Sequence, residues 1–300
     1  MKKLLFKGAA TALITPFRDG RVDVEALKKL AEFQVEQGIS ALVVCGTTGE
    51  APTLSAKEKI ECVSAVCDAV RGRVPVIAGT TTNDSASSVQ LSREAVREGA
   101  DGILAVTPYY NRPGESGLLR HFLTIAEGVG KPTILYNIPS RTGCDIQDGV
   151  YEGFSTHPMA AGVKEASGSI SKCAYISSKF GDKLPLYSGN DDMTLPVMSI
   201  GGVGVISVVS NMFPYQMSRL CSLFESDKDE CLKLFRDFVP LMRSLFTETN
   251  PMPIKSGMEY LGICRGELRL PLTRASAQCE KRLFEEIDRF AGIYGKDGVS

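Results

Sequence analysis

Eight short apolar segments recur along the chain, and they constrain its fold more than any other feature. Successive segments begin 19 to 34 residues apart, and each is nearly continuously apolar instead of alternating with polar residues. Continuous apolarity is typical of strands that are buried on both faces of a parallel sheet. The segments begin at Thr11, Ala41, Pro75, Gly102, Pro132, Ala160, Leu184 and Val203.

Amphipathic helical patterns lie between these segments. The first begins after Asp23, a candidate N-cap, and ends before Gly38. In the second, Ser55 and Glu58 have the spacing of a capping box. Eight strand–helix repeats predict an α/β fold of the (β/α)8 TIM barrel type. A doubly wound sheet is the alternative, but it usually has only about five or six strands.

We predict a catalytic barrel over residues 1–224 and a C-terminal helical domain over residues 225–300. Residues 225–247 have a helical pattern, and Asn250-Pro251 looks like an N-cap followed by proline at the first helical position. A helical repeat near the C-terminus comprises Leu283, Ile287 and Phe290. We expect these apolar faces to pack on the barrel or on another subunit.

Composition narrows the environment and the partners. The chain is 43% hydrophobic and 23% charged, with a net charge of -1 and dispersed basic residues, so nothing predicts binding to nucleic acid or to an anionic membrane. The apolar stretch of residues 4–6 is too short for a signal peptide, and no stretch is long enough to span a bilayer. We therefore expect a cytoplasmic protein.

Cysteine and histidine patterns speak against metal and disulfide chemistry. The nine cysteines form no CxxC pair, which favours free thiols in a reducing compartment. His121 and His157 do not have the spacing of a zinc site. Gly202 and Gly204 lack the third glycine and the acidic residue of a dinucleotide fingerprint. We predict neither a metal nor another cofactor.

Lys164 closes the sixth apolar segment, and barrel enzymes build their sites at such strand ends. Burying an unpaired ammonium costs on the order of several kcal/mol. An amine kept partly neutral by burial is what a Schiff-base enzyme requires of its nucleophile. The alternative is a lysine whose ammonium reaches solvent past the strand end, and this segment alone does not decide between the two.

Three other strand ends carry groups that fit such chemistry. Tyr136 should point inward, where its phenol could relay protons, or it could be a core tyrosine. Arg141 suits a substrate carboxylate, or it could be a surface charge. The loop Gly46-Thr47-Thr48-Gly49 could bind a small anion, or it could be only a tight turn.

Four motifs carry a resemblance to a known family: Gly46-Thr47-Thr48-Gly49-Glu50, Pro108-Tyr109-Tyr110-Asn111-Arg112-Pro113, Tyr136-Asn137-Ile138-Pro139-Ser140-Arg141-Thr142-Gly143 and Gly162-Val163-Lys164-Glu165-Ala166-Ser167-Gly168. Ser188-Gly189-Asn190-Asp191, Gly204-Val205-Ile206-Ser207-Val208 and Asn250-Pro251 extend it over essentially the whole chain. Together they resemble the dihydrodipicolinate synthase family, a class I Schiff-base branch of the N-acetylneuraminate lyase superfamily. The family has a barrel followed by a helical C-terminal domain.

The resemblance implies a lyase that acts in lysine and diaminopimelate biosynthesis. Lys164 would condense with pyruvate, and the enamine would attack L-aspartate 4-semialdehyde to give 4-hydroxy-tetrahydrodipicolinate. Tyr136 would relay protons, with Thr47 between it and Tyr110 of a neighbouring subunit. A homotetramer arranged as a dimer of dimers is implied as well.

The resemblance also implies how the two substrates are bound. Thr48 and the backbone at Ile206 would hold the carboxylate of pyruvate, and Gly189 is a further substrate-binding position. Arg141 would bind the carboxylate of the semialdehyde.

Two alternatives remain. Sialic-acid lyases resemble this chain in Gly-Ser/Thr-Thr-Gly-Glu, in Tyr-Asn-Ile-Pro and in the lysine, but they lack the Ser-Arg-Thr-Gly of residues 140–143, so a pyruvate-dependent sugar-acid aldolase such as N-acetylneuraminate lyase is the weaker choice. A catalytically silent barrel that senses a keto acid would be favoured only if Lys164, Tyr136 or Thr47 were missing, and all three are present.

The pattern of lysine-inhibited family members is incomplete in this chain. Histidine is often found where this chain has Ala56 and Lys59, and glutamate where it has Ser87. Asn83 and Tyr109 match the regulated pattern. These departures speak against feedback inhibition by lysine.

Overall fold

Eight parallel strands close into a barrel in the computed structural model, which describes residues 4–295. The ten strands are β1 (Gly8–Ala12), β2 (Phe17–Arg18), β3 (Arg21–Val22), β4 (Ala41–Val44), β5 (Val76–Ala78), β6 (Gly102–Val106), β7 (Thr133–Asn137), β8 (Ala160–Glu165), β9 (Leu186–Ser188) and β10 (Gly204–Ser207). The order around the barrel is β1-β10-β9-β8-β7-β6-β5-β4, and β2 and β3 form a separate antiparallel hairpin. The predicted (β/α)8 barrel is confirmed.

Helices follow the barrel strands and continue beyond the last one. They are α1 (Val24–Glu36), α2 (Ala56–Val70), α3 (Ser85–Arg97), α4 (Glu115–Val129), α5 (Pro139–Thr142), α6 (Asp148–Ser155), α7 (Ile170–Phe180), α8 (Thr194–Ser199), α9 (Pro214–Ser226), α10 (Lys228–Ser244), α11 (Met252–Tyr260) and α12 (Ala277–Tyr294). None of the helices within residues 4–295 has the length and apolarity needed to cross a lipid bilayer.

The predicted helix starts are confirmed for α1 and α2. The Asp23 carboxylate accepts a hydrogen bond from the Ala26 N–H at 3.1 Å. Ser55 and Glu58 form both hydrogen bonds of the capping box. These caps satisfy N–H groups that a helix leaves without intrahelical partners at its start.

The barrel closes between its first and last strands at two glycines. Gly8 of β1 lies opposite Gly204 of β10. A β-carbon on Gly204 would lie 1.9 Å from the Gly8 carbonyl oxygen. Only glycine permits this approach of the two backbones, so Gly204 allows the last strand of the barrel to pair with the first.

Two predicted boundaries were wrong. The first apolar segment was expected to be a strand from Thr11, but β1 spans Gly8–Ala12 and the apolar residues after it form a buried loop, because apolarity reports burial and not strand pairing. Asn250 is not an N-cap: Pro251 occupies the cap position of α11, and the Asn250 side chain bonds to Thr48 instead.

The C-terminal helices share a hydrophobic core with the barrel. Phe238 of α10 and Phe290 of α12 stack with their ring centroids 4.2 Å apart. Phe213, just before α9, meets Phe290 edge-on at 5.1 Å. Leu283 and Ile287 of α12 are buried in the same cluster, as their helical spacing predicted. A domain boundary after residue 224 stays a prediction.

His121 of α4 is buried in the packing of α3 against α4. Its Nδ1 lies 2.8 Å from the Ser85 hydroxyl, and its Nε2 has no hydrogen-bond partner within residues 4–295. Burial lowers the pKa of His121 to about 4, against a small opposing effect of the Asp84 carboxylate. The imidazole is therefore neutral in the folded protein at neutral pH.

We expect the free energy of unfolding to fall as the pH drops from 6.5 towards 4. In this window the unfolded chain protonates His121 and the folded chain does not, so the loss reaches up to about 3 kcal/mol. Urea denaturation at pH 7 and pH 4.5 measures it. The His121→Gln variant should lose much of this pH dependence, whereas the control His157→Gln should keep it; equal pH dependence in both variants would contradict the assignment to His121.

Candidate active site

Lys164 and Tyr136 lie side by side at the C-terminal ends of neighbouring strands. Tyr136 of β7 is opposite Lys164 of β8 in the strand register. Both residues are 5% exposed. The Lys164 Nζ lies 4.3 Å from the centre of the Tyr136 ring. The amine is therefore inside the barrel mouth, and the alternative of a lysine that extends to solvent is wrong.

Asp191 is a buried carboxylate near Lys164 to which the sequence analysis gave no role. It accepts hydrogen bonds from the backbone N–H groups of Val208 and Val209, the latter at 2.9 Å. Burial raises the pKa of Asp191, while these hydrogen bonds and the Lys164 charge act in the opposite direction. Asp191 thus fixes the turn that follows β10 and the predicted Ile206 position. The only sequence signal for Asp191 was its position in the strand-end motif Ser188-Gly189-Asn190-Asp191.

The residues next to Lys164 are held by Glu165. Its carboxylate accepts hydrogen bonds from the Asn137 side-chain amide at 2.9 Å and from the Ser167 N–H at 2.7 Å. Its carbonyl accepts the Gly189 N–H at 2.7 Å. A β-carbon on Gly189 would lie 2.6 Å from that of Ala166, so only glycine fits there. The backbone on both sides of the amine is therefore fixed.

A cavity of about 360 Å³ opens at this end of the barrel. Thr47, Tyr136 and Arg141, three of the predicted site residues, line it together with Lys59. None of the described residues that line it is an aspartate or a glutamate. Its walls therefore carry two cations and no compensating carboxylate, which favours anionic ligands.

Asn250 connects two predicted carboxylate-binding residues. Its side-chain amide donates to the Thr48 hydroxyl oxygen at 3.0 Å. Its backbone carbonyl accepts a hydrogen bond from the Arg141 Nη2 at 2.8 Å. Because the Thr48 oxygen acts as an acceptor, its own proton remains available for an anion. The Asn250 Oδ1 is buried without a partner among the described residues. The sequence analysis missed this role and treated Asn250 as a cap.

The loop that carries Thr47 and Thr48 is anchored by Glu50. This residue is left-handed, with φ of 54°, and its carboxylate forms an ion pair with Lys255 of α11 in which both side chains are fully buried. The Arg269 N–H donates to the same carboxylate at 3.1 Å. Burial lowers the pKa of Lys255, and the Glu50 charge opposes that effect. The C-terminal segment therefore holds the loop that carries Thr47 and Thr48 in place.

Five predicted site residues do not line this cavity, namely Lys164, Tyr110, Thr48, Gly189 and Ile206. The Tyr110 side chain is 94% exposed and its backbone is left-handed, with φ of 68°. Ile206 is fully buried within β10. Within one chain, Tyr110 does not join Lys164, Tyr136 and Thr47.

The sequence profile of the Dihydrodipicolinate synthetase family matches residues 5–289. The chain belongs to this family. A 4-hydroxy-tetrahydrodipicolinate synthase of Pelobacter propionicus is 44% identical over 269 residues, covering 89% of this chain and 93% of that protein.

Solved structures of the dihydrodipicolinate synthetase family have the same fold. The 4-hydroxy-tetrahydrodipicolinate synthase of Methylacidiphilum fumariolicum SolV superposes with a TM-score of 0.94 at 40% identity, covering 98% of this chain and 99% of that one. A monomeric dihydrodipicolinate synthase variant superposes with a TM-score of 0.93 at 37% identity, covering 96% and 97%. The family predicted from the motifs is confirmed, while the roles of single side chains stay predictions.

Side chains that could coordinate a metal do not cluster in this family member. Residues 4–295 contain no group of three or more histidine, cysteine, aspartate or glutamate side chains placed to hold an ion. All nine cysteines are free thiols. Burial raises the pKa of several of them, to about 12 for Cys221 and Cys264, so they are poor nucleophiles at neutral pH.

We expect Lys255→Met to lower the free energy of unfolding by about 3–5 kcal/mol, because it leaves the Glu50 carboxylate buried without its ion-pair partner. The double variant Glu50→Gln/Lys255→Met should lose less than the sum of the two single variants. Urea denaturation of the four proteins gives the coupling energy. Additive losses would mean that the pair does not act as a unit.

Proposed function

We propose that this chain catalyses the condensation of pyruvate with L-aspartate 4-semialdehyde to give 4-hydroxy-tetrahydrodipicolinate. The observation that carries the proposal is the buried amine of Lys164, 4.3 Å from the Tyr136 ring at the open end of the barrel. The confirmed family and the name of its Pelobacter propionicus member support it. The reaction belongs to lysine and diaminopimelate biosynthesis, and we propose a cytoplasmic location.

The first half of the reaction forms an enamine on Lys164. The neutral amine attacks the ketone carbon of pyruvate, and water leaves to give an imine. Loss of a proton from the methyl carbon converts the imine into a nucleophilic enamine. The Tyr136 phenol, adjacent to the amine, is placed to move these protons, with Thr47 on the same cavity wall as the next member of the relay.

The second half forms the carbon–carbon bond and frees the lysine. The enamine carbon attacks the aldehyde carbon of the semialdehyde, whose oxygen takes up a proton. The amino group of the semialdehyde then attacks the imine carbon and displaces Lys164, which closes the ring. No oxidant or reductant is consumed, so the reaction needs no redox cofactor.

Two anion sites orient the substrates. The carboxylate of pyruvate would be bound by the Thr48 hydroxyl and the backbone at Ile206, next to the tightly packed Gly189. The Thr48 proton is available for this contact because Thr48 accepts its hydrogen bond from Asn250. Arg141 would bind the carboxylate of the semialdehyde through its guanidinium. Because Asn250 contacts both Thr48 and Arg141, it sets the distance between the two carboxylates.

A sugar-acid aldolase is the alternative within the same chemistry. It would use the same amine and phenol but would have no need for a cation at the Arg141 position. The Arg141 contact with Asn250 and the names of the relatives favour the synthase.

We also propose that a second copy of the chain completes the site, within a homotetramer arranged as a dimer of dimers. Tyr110 is almost fully exposed on a left-handed residue of its own chain, which is a costly arrangement for a tyrosine that serves no contact. A neighbouring copy would insert it beside Thr47. Because one relative is described as a monomeric variant, the oligomeric state of this chain has to be measured directly.

We expect the purified protein to consume pyruvate with L-aspartate 4-semialdehyde and to leave N-acetylneuraminate intact. Arg141→Ala should lower kcat/KM for the semialdehyde by about 10- to 100-fold, because a charge-assisted hydrogen bond is lost. The KM for pyruvate should change little. The exposed Arg120→Ala serves as the matched control. Cleavage of N-acetylneuraminate, or an unchanged kcat/KM in Arg141→Ala, would contradict the proposal.

A further inference from the structure

A β-bulge interrupts the pairing of β7 with β8 shortly before Lys164. Thr133 lies opposite Ala160, whereas the next residue of β7, Ile134, lies opposite Gly162. The strand β8 therefore contains one residue more than β7 over this stretch. A bulge of this kind re-aims the side chains that follow it.

The bulge decides on which face of the sheet Lys164 lies. Ala160 before it and Val163 after it pack in the same cluster, between the strands and the surrounding helices. Successive side chains of a regular strand alternate between faces, so without the bulge Val163 would face the barrel interior and Lys164 the helices. A one-residue shift of register has this effect on every later side chain. With the bulge, Lys164 lies inside the barrel beside Tyr136.

Gly162 is the residue that permits the bulge. Its φ is 146°, and a β-carbon there would lie 2.5 Å from the Pro185 carbonyl oxygen and 2.9 Å from the Tyr187 ring. The Pro185 carbonyl cannot retreat freely, because it accepts the Val163 N–H at 2.8 Å. Only glycine fits this position without displacing β9.

A cluster of polar side chains holds the shifted register just beyond the bulge. Asn137 of β7 lies opposite Glu165 of β8 and donates to its two carboxylate oxygens at 3.1 and 2.9 Å. The Tyr151 hydroxyl of α6 donates to the same carboxylate at 3.3 Å. Burial raises the pKa of Tyr151, so its phenol keeps the proton that it donates. Asn137 also donates to Asp145 at 2.8 Å, and Asp145 is ion-paired with Lys172 of α7.

The members of this cluster directly follow the two reacting residues in sequence. Asn137 follows Tyr136, and Glu165 follows Lys164. Because neighbouring residues of a strand point to opposite faces, the outer pair Asn137–Glu165 and the inner pair Tyr136–Lys164 share one backbone geometry. Any slip of β8 past β7 that separates the outer pair also separates the inner pair.

We propose that Glu165 is a positioning residue, whose contact with Asn137 keeps the bulged strand in register and so holds the Lys164 amine against the Tyr136 ring. It acts through the backbone of β8 and not by touching the substrate. The inference rests on the proposed function, in which Lys164 is the nucleophile.

Steady-state kinetics of Glu165 variants test this role. We expect Glu165→Ala to lower kcat by about 10- to 100-fold, because a misplacement of about 1 Å has an effect of this size. The KM for pyruvate should change little. Glu165→Gln keeps an oxygen that can accept from Asn137 and should recover part of the loss. Ile176→Ala is the matched control: it removes a fully buried apolar side chain of α7 but no hydrogen bond, and it should keep kcat.

Crystal structures of the wild type and of Glu165→Ala test the geometry independently of activity. The Lys164 Nζ lies 4.3 Å from the centre of the Tyr136 ring, and this distance should grow by about 1 Å or more in the variant. If Glu165→Ala does not fold, Tyr151→Phe replaces it in both measurements, with a smaller loss of kcat, because it removes one hydrogen bond to the Glu165 carboxylate.

An unchanged kcat or an unchanged distance between amine and ring would overturn the positioning role. So would an equal loss of kcat in Ile176→Ala, since reduced stability alone would then explain the effect. An inactive wild type would refute the proposed reaction, and the distance in the two crystal structures would still decide whether Glu165 positions Lys164.

Discussion

The buried ion pair between Glu50 and Lys255 is the interaction on which the site most depends. Glu50 ends the loop that carries Thr47 and Thr48, and Lys255 belongs to α11, far away in the chain. Because both side chains are removed from water, each charge requires the other. The barrel supplies the strands that position Lys164 and Tyr136, but the C-terminal helices fix the loop opposite them. Both the barrel and the helices that follow it are therefore needed to form the open end of the barrel at which Lys164 lies.

Three buried lysines at this end of the molecule differ in their partners, and the partners indicate their roles. Lys255 is paired with Glu50 and has a structural role. Lys164 is buried against the Tyr136 ring without a salt bridge among the described residues, at a strand end where barrel enzymes place their reactive groups. Lys59 lines the cavity at the barrel mouth, and burial lowers its pKa. The same side chain is therefore buried in three different surroundings at this end of the molecule.

The sequence allowed the barrel and the caps at Asp23 and Ser55 to be predicted, because hydrophobic periodicity and capping are local signals, whereas the segment around Lys164 left its burial open. It did not reveal that β1 begins at Gly8, because that boundary depends on pairing with Gly204. The contacts of Asn250 with Thr48 and Arg141 were also invisible. They join residues more than a hundred positions apart, and nothing local in the sequence encodes such contacts.

Reduction of the protein with borohydride in the presence of pyruvate, followed by intact and peptide mass measurement, tests the central claim most directly. If Lys164 forms the imine, one chain gains the mass of pyruvic acid less one oxygen atom, and the gain maps to the peptide that contains Lys164. Lys164→Arg, which keeps the charge but cannot form the imine under these conditions, should gain nothing. An unchanged mass of the wild type, or an adduct on another lysine, would contradict the account.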